Sequence, residues 1–168
     1  MRSALWGTTV GLAAVAAVAI GIDASQSPAP GGTRQAEPPA YRPVTSDLMN
    51  DVIQPRHVKL WLAGKSQNWA FAEYERHNIG GALARMTQAI PTYKNMSTAS
   101  LVGSFATPEL ADLETAIKAR NEMAFVQAYN ALTTGCNSCH QATGHGMVVI
   151  KVPDSDPFPD QDFQSPAP

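Results

Sequence analysis

Residues 121–140 read Asn-Glu-Met-Ala-Phe-Val-Gln-Ala-Tyr-Asn-Ala-Leu-Thr-Thr-Gly-Cys-Asn-Ser-Cys-His. Asn121 is a good amide cap, Glu122 suits the positive end of a helix, and Phe125, Tyr129, Leu132, Cys136 and Cys139 follow at steps of four, three, four and three. That spacing draws one apolar stripe down a helix and is the seam pattern of packed helices. The chain's only two cysteines therefore fall on a core-facing stripe. The fold expected from this stretch is all-α.

Within it, Cys136-Asn137-Ser138-Cys139-His140 has the C-x-x-C-H form of covalent haem attachment. Two thiols must add to the two vinyl groups on one porphyrin edge, and the next side chain must reach the iron. On a helix, positions 136, 139 and 140 share a face. The expected cofactor is one covalently attached haem c, bound through Cys136 and Cys139, with the His140 imidazole as an axial iron ligand. A redox dithiol would want a βαβ setting and a helix N-terminus, where the dipole lowers a thiol pKa. A zinc site would want a second ligand pair, which His145 alone does not supply. Neither setting is present around the pentapeptide.

Working outward, 168 residues allow one domain with a modest core. A net charge of −2 gives no basic surface for nucleic acid. Arg2 followed by the uncharged apolar run Ala4 to Ile22 reads as an export signal, so 1–24 is expected to be a signal peptide or a membrane anchor. Haem c is attached outside the bacterial cytoplasm, and a periplasmic location agrees with such a leader. Residues 25–44, rich in Pro, Gly, Ser and Gln, are expected to form a disordered linker. The cytochrome domain is expected over 45–152, and 153–168 to be an acidic, Pro-rich, solvated tail.

Inside the domain, Ser46 is the expected cap of a first helix carrying Met49, Ile53, Leu60 and Trp61, with either a kink or a late true start at Pro55 and a stop at Gly64. A second helix is expected from Ser66 to Ile90, ended by Pro91. Its Gly80-Gly81 pair predicts either a local break or a close approach of backbone to a neighbouring helix or to the porphyrin. Residues 91–106 read as a loop with a short turn around Leu101 to Phe105. Thr107-Pro108-Glu109 opens a third helix ending near Arg120, and the helix led by Asn121 is the fourth. Met147 to Ile150 predicts a short extended strap or a hydrophobic anchor.

Four helices with the haem motif near the end of the last resemble the cytochrome c′ class. The body is also similar to exported proteobacterial monohaem cytochromes through Arg56-His57-Val58-Lys59-Leu60-Trp61, Ala63-Gly64-Lys65, Asn68-Trp69, Tyr74-Glu75 and Cys136 to Gln141. The resemblance covers about Ser46 to Phe163. It implies an antiparallel up-down four-helix bundle with haem on the last helix, and it allows a homodimer through the first two helices. Cys136, Cys139 and His140 carry over.

The sixth iron position departs from the cytochrome c′ pattern, which leaves an apolar residue there. Met49, Ile53 and His57 stand at four-residue steps on the first helix, level with the haem in an antiparallel arrangement. His57 or Met49 is the expected distal ligand, giving a bis-imidazole iron or a methionine-ligated one of higher potential. Packing would explain Met49 equally, and a carboxylate partner would explain His57. His77 and His145 read as surface histidines, and Arg56, Lys59 and Arg76 as propionate partners by charge or as solvated cations. The function expected is one-electron transfer between redox partner proteins, with no enzymatic activity and, if the leader is retained, a membrane tether. The alternative is binding of NO or CO at an open distal site.

Overall fold

The structure is a computed structural model and describes residues 41–164. The leader expected at 1–24 and nearly all of the linker lie outside the described residues. Among the described residues, no helix is long and apolar enough to cross a membrane.

The described chain is mostly helical, in keeping with an all-α fold. In order it forms α1 (Thr45–Asp47), a π-helical turn (Leu48–Ile53), α2 (Gln54–Lys65), α3 (Trp69–Ala89), strands β1 (Thr92–Tyr93) and β2 (Met96–Ser97), α4 (Thr98–Phe105), α5 (Thr107–Lys118) and α6 (Glu122–Ala142). The main packing is α2 on α3 and α5 on α6, with α3 against α5 and α4 touching α3, α5 and α6. Leu60, Ala63, Ala72, Leu113, Phe125, Tyr129 and Leu132 are fully or almost fully buried between them.

The first three elements run without interruption, and Pro55 falls where the widened turn gives way to ordinary α-helix. A proline ring collides with the carbonyl four residues back and offers no N–H. Here the preceding turn widens instead. The Gln54 amide reaches the Met49 carbonyl, five residues back, and Pro55 stands in the first turn of α2, where its missing donor is tolerated.

Gly64 does not stop the helix by turning left-handed. Gln67 takes that conformation, at φ 55°, closed by Asn68 N–H to Ala63 C=O at 2.9 Å and Gln67 N–H to Gly64 C=O at 3.0 Å. Gly64 is required for a different reason: a Cβ there would lie 2.1 Å from Phe125 Cζ. Arg120, at φ 50°, closes α5 with the same pair of bonds, Asn121 N–H to Ala116 C=O and Arg120 N–H to Ile117 C=O.

The second expected helix starts later than Ser66, because the Asn68 side chain accepts from the Phe71 amide and α3 begins at Trp69. It runs unbroken through Gly80-Gly81. A Cβ at Gly80 would meet only Leu110 Cδ1 at 3.9 Å and one at Gly81 the Arg85 side chain at 3.3 Å, so neither a break nor a tight approach to a neighbouring helix explains the pair. The loop expected at 91–106 contains a hairpin turned by Lys94 and Asn95, both left-handed, and then α4, capped by Ser97. Asn121 caps α6 as expected, accepting from Ala124 N–H at 3.1 Å.

The tail is not simply solvated. Phe163 is buried and stacks on Phe71 with ring centroids 5.5 Å apart, Lys59 lies over Phe158, and Asn68 donates to the Gln164 carbonyl at 3.0 Å. Its acids, Asp154, Asp156, Asp160 and Asp162, face solvent. Aromatics and acids divide the segment between an inner and an outer side.

Candidate cofactor site on the last helix

The seam of α6 holds as its spacing predicts: Phe125, Tyr129 and Leu132 are buried, and Cys136 and Cys139 continue the stripe half-buried. Gly135 lets this last stretch approach α4, since a Cβ there would stand 2.0 Å from the Phe105 carbonyl oxygen. α6 then ends on Gly144, at φ 73°, with its amide on the Gln141 carbonyl and the His145 amide on that of His140.

Both cysteines are free thiols. Burial, with a smaller contribution from Cys139, pushes the Cys136 thiol up to about 11, and burial also raises Cys139. A redox dithiol needs the opposite, a thiol lowered toward neutrality. These two sulfurs stay protonated at neutral pH.

Beside them His140 donates from Nδ1 to the Val148 carbonyl at 2.8 Å. A carbonyl can only accept, so Nδ1 carries a proton, and in the neutral ring Nε2 is then the nitrogen with the lone pair, the form a metal requires. The 145–150 segment that brings Val148 there is a strap over the end of α6, without strand geometry, and not a hydrophobic anchor, for Met147, Val148 and Val149 are exposed. Backbone contacts hold it: Asn137 accepts from the Ile150 amide at 2.7 Å and donates to the Ile150 carbonyl at 2.8 Å.

Two neighbouring cavities meet at this end of α6. The larger, about 190 Å³, opens between Met49, Met86, Ile90, Cys139, His140 and Val148, with Tyr93, Thr98, Thr143 and His145 among its polar lining. The smaller, about 60 Å³, lies between Ile53, His57, Ile79, Leu83, Leu132, Cys136, Cys139 and His140. Met49, Met86, Leu101, Cys139 and His140 border both, so flexible thioether and leucine side chains form much of the partition.

The structure thus gathers Met49, His57, Cys136, Cys139 and His140 around adjoining space. His57 is already occupied. Its Nε2 is 3.0 Å from Thr133 Oγ1 and its Nδ1 2.9 Å from the Tyr129 hydroxyl. The Thr133 hydroxyl donates to the Tyr129 carbonyl and the Tyr129 hydroxyl donates to the His57 carbonyl at 2.8 Å, so each hydroxyl ties a ring nitrogen of His57 to the backbone. Burial lowers the His57 pKa to about 4, so the ring is neutral. Met49 has no comparable commitment and borders both cavities.

The other candidates stand elsewhere. Arg56 faces buried Glu75 at 3.9 Å, Arg76 pairs with Glu73 and Glu114, and Lys59 covers Phe158; none of the three lines either cavity. His77 is exposed on α3. His145 is half-buried, 3.2 Å from both the Tyr93 and Thr143 hydroxyls, at the wall of the larger cavity. Tyr93 and Thr98 gave no sign in the sequence, because the hairpin and α4 that place them were read as loop. The buried Thr98 hydroxyl there has no partner among the described residues.

Among the described residues no three His, Cys, Asp or Glu side chains cluster closely enough to hold a metal by themselves. The chain matches no protein-family model, and no curated protein or solved structure shows significant similarity to it.

Proposed function

We propose that the chain is an exported, periplasmic monohaem c-type cytochrome that passes single electrons between redox partner proteins. In this reading the helix 45–65, α3, α5 and α6 make an antiparallel four-helix bundle, with haem c on α6 between facing helices. Cys136 and Cys139 would hold the porphyrin edge, and His140 and Met49 the two axial positions. The bound haem supplies an iron that changes valence by one electron, at a potential set by its axial ligands and surroundings.

One observation carries the proposal: the thiol pair and a histidine with a free Nε2 lone pair border one apolar space, and an uncommitted methionine borders it too. The residues fit the group in chemistry and in adaptability. Protonated thiols are the reactants for thioether formation, and the Met49, Met86 and Leu101 partition is made of side chains that rotate readily. Met49 is preferred to His57 because both His57 ring nitrogens already face hydroxyls, Thr133 at Nε2 and Tyr129 at Nδ1, and ligation would break one of those contacts.

Expression with a working haem-maturation system tests this. The purified protein should be coloured, heavier than its amino acids by one haem, low-spin when reduced and indifferent to CO. Met49→Ala should turn the iron high-spin and open it to CO, while His57→Ala should leave it low-spin. High-spin native protein that binds CO promptly would favour gas binding, and a colourless chain without added mass would end the proposal.

A further inference from the structure

We infer that Asn137, the first of the two residues between the cysteines, is a positioning residue for the His140 imidazole. The inference rests on the haem reading above. Asn137 has no contact of its own with the ring. Its amide closes a two-bond clamp on the Ile150 backbone, accepting from N–H at 2.7 Å and donating to C=O at 2.8 Å. Two residues earlier in the same segment, the Val148 carbonyl accepts from His140 Nδ1 at 2.8 Å.

The segment needs such a clamp. The side chains of Met147, Val148 and Val149 do not hold it, with Met147 79% and Val149 73% exposed, and it forms no strand. Its near end is tied at His145, whose amide meets the His140 carbonyl at 2.6 Å and whose ring lies 3.2 Å from the Tyr93 and Thr143 hydroxyls, while the Val148 amide bonds only within the turn, to the His145 carbonyl at 2.8 Å. Asn137 is the link that fixes the far end of the segment to α6, one turn of helix from the ring it serves. An acceptor held on Nδ1–H fixes the orientation of a ligating imidazole and makes it a stronger donor. A stronger donor favours the more highly charged iron and lowers the reduction potential. Asn137 therefore helps hold that potential down through Val148.

The test compares haem-loaded native protein, Asn137→Ala and, as control, Ser138→Ala, whose hydroxyl donates to the Thr134 carbonyl within the helix and touches no loop residue. Asn137→Ala should retain haem, show a raised reduction potential and exchange its His140 Nδ1–H at least tenfold faster in the reduced state. Ser138→Ala should match native in both. Equal potentials and equal Nδ1–H exchange in native and Asn137→Ala would overturn the inference. The native protein gives a second readout that needs no variant: its Ile150 amide should be protected from hydrogen exchange, and free exchange there would overturn the clamp whether or not Asn137→Ala matures. If native protein itself carries no haem, the function proposed above fails, which its mass distinguishes from a failure of Asn137 alone.

Discussion

The two halves of α6 are built to opposite standards. From Phe125 to Thr133 the helix lies in an aromatic cluster: Trp61 is 4.9 Å from Tyr129 and 6.3 Å from Phe125, Trp69 meets Phe125 edge-on at 6.0 Å, and His57, Tyr129 and Thr133 satisfy one another's polar atoms. From Gly135 to Ala142 the same helix borders cavities whose shared walls are methionine and leucine. Close packing stabilises and cannot yield. The loosely filled half has room to receive something, and the closely packed half keeps the helix in place while it does.

Three measurements can break or sharpen that contrast. The largest effect should come from Leu60→Ala, which empties a fully buried site in the packed half. It should cost about 2–5 kcal/mol in urea unfolding, whereas Leu101→Ala at the cavity wall should cost clearly less in haem-free protein. Equal losses would mean the halves do not differ.

Acid should come next. His57 is neutral and buried, with a folded pKa near 4 against an ordinary 6.5, so between those values the unfolded chain binds the extra proton. Stability should therefore fall as pH drops from about 6.5 to about 4 and stop falling on this account below that. The His57 contribution is about 3 kcal/mol over the window. Unfolding curves of native protein and His57→Gln across the window isolate it, since the variant should lose that part of the slope. Parallel pH dependence would show that His57 is solvated or charged in the fold.

A smaller loss should follow Tyr129→Phe, which removes the hydroxyl shared by the His57 ring and its carbonyl and leaves buried acceptors unpaired. The cost should be about 1–3 kcal/mol, read from the same unfolding curves. A neutral result would mean water replaces the hydroxyl in a site taken here to be closed.

Much of this contrast was legible in the residues. The four-three steps from Phe125 to Cys139 mark which face of α6 is inward, and Asn121 and Thr107-Pro108 mark helix starts within a residue, because the Asn121 side chain caps its helix and a proline such as Pro108 suits a first turn. The misses have long-range or backbone causes. Glycine count pointed to Gly80-Gly81, yet the crowded positions are Gly64 and Gly135, whose neighbours Phe125 and the Phe105 carbonyl lie far along the chain. Gln67, Arg120 and Lys94 take left-handed backbone that their side chains do not advertise. In the candidate site, the stripe Met49, Ile53, His57 was readable from spacing, and all three border the smaller cavity. That His57 is committed elsewhere was not readable, since Tyr129 and Thr133 are 72 and 76 residues away. Asn137 looked like spacer until the 145–150 segment folded back upon it.

The widened turn at Leu48–Ile53 has a consequence for register. Deleting a single solvent-facing residue such as Asp51 would turn the bond from the Gln54 amide to the Met49 carbonyl into an ordinary four-residue one and leave Met49 above the same neighbours. Winding these residues as ordinary helix without a deletion would instead swing everything before Gln54 around the axis by roughly 100°, while Leu60 and Trp61 kept their places. The width of this one turn, as much as the identity of Met49, therefore keeps that side chain on the cavity wall.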